Sequence, residues 1–291
     1  MIPADLADAV GSALGSRVTT GTALRGGDVA EAYAVDLADG RRVFAKTHRS
    51  PPPHFFGTEA AGLAWLRAAD ALPVPEVLAV SDADPAFLVL EWVDVGGGPG
   101  GRSGSGEAEF GRGLAALHAA GAPSFGRADA RTTGSLALPN DPCDTWSEFY
   151  AERRLRPLAR RATDRGALAP GSIAALERIA DRLGEFGGPR RPPARLHGDL
   201  WAGNRVIDHT GRSWLIDPAA HGGHHEFDLA MMRLFGGFGD ACFTAYDEAA
   251  PLDDGWQDRI ALHQLAPLVV HAIKFGGGYV NAVDDALARY R

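Results

Sequence analysis

Apolar residues at Leu6, Ala9, Val10 and Ala13 recur at helical spacing, which predicts a first helix over Ile2 to Leu14. From Val18 the period shortens. Residues 18–24, 30–37 and 41–47 read as strands separated by Arg25-Gly26-Gly27-Asp28 and Ala38-Asp39-Gly40, a turn chemistry that predicts an antiparallel meander. Helical spacing returns with Ala60, Leu63, Trp65 and Leu66 over Phe56 to Ala69, followed by two more strands at Glu76 to Val80 and Phe87 to Val93. A glycine-rich run from Val95 to Gly106 has no apolar face to bury and reads as a connector. Beyond it, helical periods occupy 107–120, 145–162, 173–186, 226–235 and 258–275. The pattern predicts an α+β, bilobal chain: a small N-terminal lobe at 1–94 with an antiparallel sheet and one main helix, a hinge at 95–106, and a larger, mostly α-helical lobe at 107–291.

Between the third and fourth helices of the larger lobe lies the most informative stretch, L-H-G-D-L-W-A-G-N-R-V-I-D-H-T-G-R-S-W-L-I-D-P from Leu196 to Pro218. Alternating residues on either side of Asp208 to Gly211 predict a hairpin that returns the chain so that Asp217 faces Asn204. An aspartate, an asparagine and a second aspartate at this spacing match a kinase phosphotransfer site. There Asp199 would hold the acceptor hydroxyl, and Asn204 and Asp217 would ligate the Mg²⁺ that bridges the phosphates of ATP. Such chemistry asks little covalent help of the protein; it needs hydroxyl, phosphate and cation held in line and their charge neutralised. Each of the three alone is equally a turn or cap residue, so the reading depends on independent support from the small lobe.

Lys46, in the centre of Val43 to Thr47, supplies it. An inward-facing ammonium needs an anion, and Glu59 on the next helix is the natural partner, the pair then holding Lys46 against the nucleotide phosphates. The competing reading puts Lys46 on the solvated face of an edge strand. Gly26 and Gly27 either close over phosphates or form a plain hairpin turn. Glu91 and Val93, ending the last small-lobe strand, offer backbone groups to an adenine edge by position alone.

With 37 acidic against 29 basic residues the net charge is −8, which argues against nucleic-acid partners and anionic membranes. No apolar run approaches a membrane span and the acidic N-terminus lacks a signal-peptide core, so a cytoplasmic protein is expected. Cys143 and Cys242 stand far apart without a metal-ligand pattern and are expected to be free thiols. No heptad pattern appears, which leaves a monomer as the expected state.

Several segments resemble the fructosamine kinase (ketosamine 3-kinase) family, in the aminoglycoside phosphotransferase and choline kinase branch of the protein-kinase-like fold: G-G-D-V-A-E-A-Y at Gly26 to Tyr33, F-A-K at Phe44 to Lys46, F-F-G-T-E at Phe55 to Glu59, L-H-G-D-L-W-A-G-N at Leu196 to Asn204, I-D-P-A at Ile216 to Ala219, and G-H-H-E-F-D-L-A-M-M-R-L-F-G-G-F at Gly223 to Phe238. The resemblance covers nearly the whole chain. It implies ATP-dependent phosphorylation of the 3-hydroxyl of a ketosamine, an amine glycated by a sugar, after which the product decays and frees the amine. It also places Asp28 where many relatives carry a cysteine, so no disulfide switch is expected there. On the acceptor side, Trp201 can supply an apolar platform for a sugar face, and Trp146 with Glu148 borders the same cleft. His224 would position a hydroxyl, while Glu226 and Asp228 either attract a protonated amine or are acids at a helix N-terminus. The histidines around Glu226 suit no helical metal pair, and His118 is expected to pack beneath the catalytic loop. Another small-molecule kinase of the branch, acting on an aminoglycoside, choline or a homoserine-like alcohol, is the alternative activity; a nucleotide-binding pseudokinase is the non-catalytic one.

Overall fold

The computed structural model describes residues 1–24, 30–96, 104–129, 132–133, 136–188 and 190–290. Gly26, Gly27 and Asp28 of the expected phosphate loop, and most of the glycine-rich hinge, lie outside the described residues. The chain begins with α1 (Ala4–Leu14), then β1 (Val18–Leu24), β2 (Glu31–Leu37) and β3 (Arg42–Thr47), α2 (Phe55–Arg67), β4 (Val77–Ser81) and β5 (Phe87–Glu91). The strands form one five-stranded antiparallel sheet in the order β1-β2-β3-β5-β4. Side chains alternate across a strand, and here the two faces have different covers. Val43, Ala45, Phe87 and Val89 pack with Leu6 and Val10 of α1, whereas Leu88 and Leu90 pack with Phe56, Leu63 and Leu66 of α2. Lys46 pairs with Leu88 in register. It therefore belongs to the face under α2, not to a solvated edge.

The second of these cores continues into the other lobe, where Phe110, Leu114, Leu200 and Leu215 join it. That lobe comprises α3 (Gly104–Ala119), the short strands β6 (Thr132–Thr133) and β7 (Leu138–Pro139), α4 (Trp146–Tyr150), a π-helical turn (Ala151–Leu155), α5 (Arg156–Asp164), α6 (Pro170–Asp181) and α7 (Leu183–Phe186). There follow β8 (Ala194–Leu196), a 3-10 turn (Ala202–Asn204), β9 (Arg205–Ile207), β10 (Ser213–Leu215) and β11 (His221–Gly223), then α8 (Glu226–Phe235), α9 (Asp240–Ala249), α10 (Trp256–Phe275) and α11 (Gly278–Ala288). The helix expected at 145–162 thus runs from Trp146 to Asp164 with a π-helical turn inside it. In α10, Pro267 cannot donate to the His263 carbonyl one turn back; the Tyr150 hydroxyl donates to it instead, at 3.0 Å.

The strand ending at Glu91 leads straight to the β9–β10 hairpin. Asp94 and Gly96 bond to its tip, through His209 N–H to Asp94 O (3.0 Å) and Gly96 N–H to Ile207 O (3.2 Å). A Cβ at position 96 would lie 2.4 Å from His209 Cα, so the approach requires glycine. Cys143 and Cys242 are buried, free thiols. Among the described residues no helix is long and apolar enough to cross a membrane.

Candidate active site

The site is built from four short pieces of chain. From β8 the backbone enters His197-Gly198-Asp199, and Gly198 takes a left-handed φ of +79° at a point where a Cβ would press to 2.2 Å from the Ala219 carbonyl oxygen. Asp228, in the first turn of α8 and fully buried, holds this loop: it accepts the His197 N–H at 2.7 Å and the Gly198 N–H at 2.9 Å. His118 Nε2 approaches the same carboxylate at 3.3 Å and its Nδ1 meets the Tyr246 hydroxyl at 2.8 Å. Burial alone would raise the Asp228 pKa; the hydrogen bond and charge from His118, with the Gly198 N–H, hold it below the ordinary value. His197 is itself locked, accepting the Asp199 N–H on Nδ1 (3.3 Å) with Nε2 against the Ile216 carbonyl (2.9 Å). Desolvation keeps its ring neutral, which those two bonds require.

Asn204 closes the loop. Its Nδ2 donates to the Asp199 carbonyl (2.9 Å), the Asp199 carboxylate (3.2 Å) and the Asp217 carbonyl (3.4 Å), so one amide ties together the aspartates at either end of the hairpin. Ile216 N–H donates to the Asn204 carbonyl at 3.1 Å. Asp217 adopts a left-handed backbone, φ 52°, a conformation costly for most residues and least so for Asp and Asn. A buried ion pair, Arg205 to Glu107 at 2.6 Å, fixes β9 against α3 from below.

Across the cleft, Lys46 Nζ lies 2.5 Å from Glu59 Oε1 and 2.7 Å from Asp217 Oδ1. One ammonium on β3 is thereby shared between a carboxylate of its own lobe and one of the other. Desolvation pushes Glu59 up to about 7, against the pull of Lys46 and helped by the charge on Asp217. Desolvation likewise raises Asp199 to about 7, with the Asn204 hydrogen bond opposing it. For Asp217 the sign reverses: burial raises its pKa, but the Lys46 charge and hydrogen bond outweigh that and keep it ionised. Two carboxylates around one ammonium leave surplus negative charge beside a side chain that is 47% exposed. Hard oxygen donors with unmatched charge suit Mg²⁺. Asp217 meets that description, and the neutral Asn204 Oδ1, to which none of the described residues donates, offers a second oxygen.

A family model described as fructosamine kinase matches residues 4–290. The chain belongs to the fructosamine kinase family. Among curated relatives it is 35% identical over 275 residues to a probable ketoamine kinase of Synechocystis, covering 93% of this chain and 90% of that one. It is 32% identical over 260 residues to the chloroplastic protein-ribulosamine 3-kinase of Arabidopsis thaliana, covering 86% and 77%. A solved structure of a putative fructosamine-3-kinase from Thermobifida fusca superposes with a TM-score of 0.88 at 42% identity, covering 98% of this chain and 97% of that one. The aminoglycoside phosphotransferase APH(4)-Ia, at 15% identity and a TM-score of 0.66 over 99% of both chains, shares the fold. The architecture is thus bilobal and protein-kinase-like, and this fructosamine kinase family member is an ATP-dependent phosphotransferase.

The other residues singled out in the sequence take varied positions. Trp201, two residues after Asp199, is 40% exposed and packs its ring over Gly203. Glu91 turns its carboxylate to the Glu76 N–H (3.0 Å) and Arg67 (3.2 Å) at the start of β4, and Val93 follows in the segment that crosses to the hairpin. Trp146 does not border the cleft: it is buried in the helical core, stacked on Tyr150 at 5.0 Å. His224 is buried too, its Nδ1 facing the Glu226 N–H at 3.3 Å. Glu226 is 1% exposed and grips Arg259 through both oxygens, at 2.6 and 2.9 Å, which leaves it no face for a substrate amine. Its ligand atoms lie near those of His224 and His263. The two imidazoles, however, stack with planes 24° apart, so their lone pairs run side by side instead of converging on one ion. Asp228 as the clasp of the His197-Gly198-Asp199 loop was hidden in the sequence by its equal suitability as a helix N-terminal acid.

Proposed function

We propose that this chain transfers the γ-phosphate of ATP to the 3-hydroxyl of ketosamines, the adducts formed when sugars glycate amines. Asp199 accepts the proton of that hydroxyl as its oxygen bonds to phosphorus and the bond from phosphorus to the bridging oxygen of ADP breaks. Lys46, fixed by Glu59, meets the nucleotide phosphates, and Asn204 and Asp217 hold Mg²⁺, which when bound neutralises charge on those phosphates. Gly26 and Gly27 cover the phosphates, and backbone groups of Glu91 and Val93 face the adenine. The observation that carries the reading is the Lys46 ammonium between Glu59 and Asp217, with Asn204 bridging Asp217 to Asp199.

The acceptor class rests on the relatives: a ketoamine kinase and a ribulosamine kinase over nearly the whole length. Trp201 is the acceptor residue of the sequence reading whose exposure and place two residues after Asp199 fit contact with a sugar face. A phosphate at the 3-position is a good leaving group next to the ketose carbonyl, so elimination from the product would release the amine, a deglycation activity. A cytoplasmic monomer with division at the hinge 95–106 accompanies this proposal. The test is ADP release with Mg²⁺-ATP across fructosyl-lysine, ribulosyl-lysine, kanamycin and choline. Turnover confined to the two ketosamines is expected. Turnover with kanamycin or choline instead would move the chain to another acceptor class, and nucleotide binding without turnover of any of the four would make it a pseudokinase.

A further inference from the structure

A row of rings leads away from the catalytic loop. Trp201 meets Phe235 at 6.2 Å, Phe235 meets His271 at 4.8 Å, and His271 meets Phe275 at 5.5 Å and Tyr279 at 4.9 Å. Phe275 is 52% exposed although it is a large apolar ring. Lys274 stands at the end of this row, in the last turn of α10, exposed, with its Nζ 5.1 Å over the Phe275 ring. Among the described residues no carboxylate lies within ion-pair distance of it. A lysine in the last turn of a helix complements the macrodipole, and that alone would explain its charge. The macrodipole does not explain why the residue sits at the end of a partly exposed aromatic row that starts at Trp201, two residues after Asp199.

We propose that Lys274 sets acceptor specificity by pairing with a carboxylate on the amine component, so that the favoured substrates are ketosamines of amino acids glycated on the α-amine. This rests on the ketosamine reading and deepens it. With the sugar against Trp201 and its hydroxyl at Asp199, the amine substituent has to leave along an exposed surface, and the ring row is the surface that starts there. In an α-adduct a single carbon separates the glycated nitrogen from a carboxylate, whereas a neutral amine offers Lys274 nothing. An ammonium on this rim also disfavours carriers bearing further positive charge.

Fructosyl-glycine and fructosyl-glycinamide differ in that one charge and separate the possibilities. The wild type is expected to favour the acid over the amide by roughly fivefold in kcat/KM, the scale of an exposed ion pair, with the difference in KM. Lys274→Met should bring the ratio close to one, and Lys274→Glu should invert it. The KM for ATP should be the same in all three proteins. Equal use of acid and amide by the wild type would overturn the proposal, as would a Lys274→Met loss that is the same for both acceptors or appears in the ATP KM. Because the amide is itself a ketosamine, its turnover keeps the ketosamine reading standing when the Lys274 assignment fails. Failure of both acceptors with every protein would sink the two together.

Discussion

Two clusters of acid and base look alike in composition and differ in what they leave unmatched. Lys46, Glu59 and Asp217 form one; Glu226, Arg259 and His263 form the other. In the second, a carboxylate 1% exposed meets a guanidinium 11% exposed through two hydrogen bonds, so the charge of that pair is matched one to one. Desolvation would raise Glu226, but His263 and Arg259 overcome it and hold the group at about 2. In the first, two carboxylates compete for one ammonium, Asp217 is half open to the cleft, and Glu59 is pushed up to about 7. A matched cluster holds a fold together, while a cluster with surplus charge at an opening invites a cation and a phosphate. The surplus, not the presence of charged residues, distinguishes the site.

The sharpest way to break this comparison is to remove one member from each side. Asp199→Asn should cost roughly two to four orders of magnitude in kcat, the range for loss of a general base, with ATP affinity nearly unchanged by calorimetry. Lys46→Met should lower kcat/KM by about a hundredfold, as expected for one lost charge-stabilising donor, yet it should unfold in denaturant at nearly the wild-type midpoint. Its partners have an escape, since Glu59 at about 7 readily takes up a proton and Asp217 faces water. Arg259→Met has no such escape: it strands a buried carboxylate and should destabilise by about 3–5 kcal/mol, while the folded fraction keeps its KM for ATP. If Lys46→Met proved the less stable of the two, the division into open and closed clusters would be wrong.

The pH behaviour sharpens the same contrast. Asp199, raised to about 7 in the folded chain from an ordinary 3.8, must lose its proton to act, so kcat/KM should rise with pH through about 7. The stability sign is the opposite. Between pH 3.8 and about 7 the folded state holds a proton that the unfolded chain has released, so stability falls as pH rises through that window. Asp199→Asn should therefore melt above the wild type at pH 8, with the gap closing toward pH 4. Glu226, depressed to about 2, contributes stability that is present above its ordinary 4.5 and lost only as pH falls through the folded value. The smallest expected effect is that of Trp201→Ala, a several-fold rise in acceptor KM from a lost aromatic platform, read by initial rates at saturating ATP.

Much of this is legible in the amino-acid sequence. The meander at 18–47, the helix carrying Glu59 and the 205–215 hairpin announce themselves through period and turn chemistry, and the spacing of Asp199, Asn204 and Asp217 carries the site. What stayed hidden has physical reasons. The strands at 194–196 and 221–223 are too short to show a period, and α9 and α11 pack on neighbouring helices through few large side chains. Trp146, His224 and Glu226 read as acceptor residues because polar and aromatic groups near a catalytic motif suit a pocket. That Glu226 would be claimed by Arg259, 33 positions later, is a tertiary fact with no local trace. Asp228 illustrates the converse, a residue left open between amine contact and helix acid that holds two loop N–H groups.

The account stands on phosphate reaching a sugar hydroxyl held by Asp199. Fructosyl-glycinamide incubated with Mg²⁺-ATP and either wild type or Asp199→Asn, followed by phosphorus–proton correlation NMR of the product, measures this directly. The predicted result is a phosphate coupled to the proton on carbon 3 with the wild type and almost none with the variant. A phosphate on another carbon, or equal product from both proteins, would contradict it.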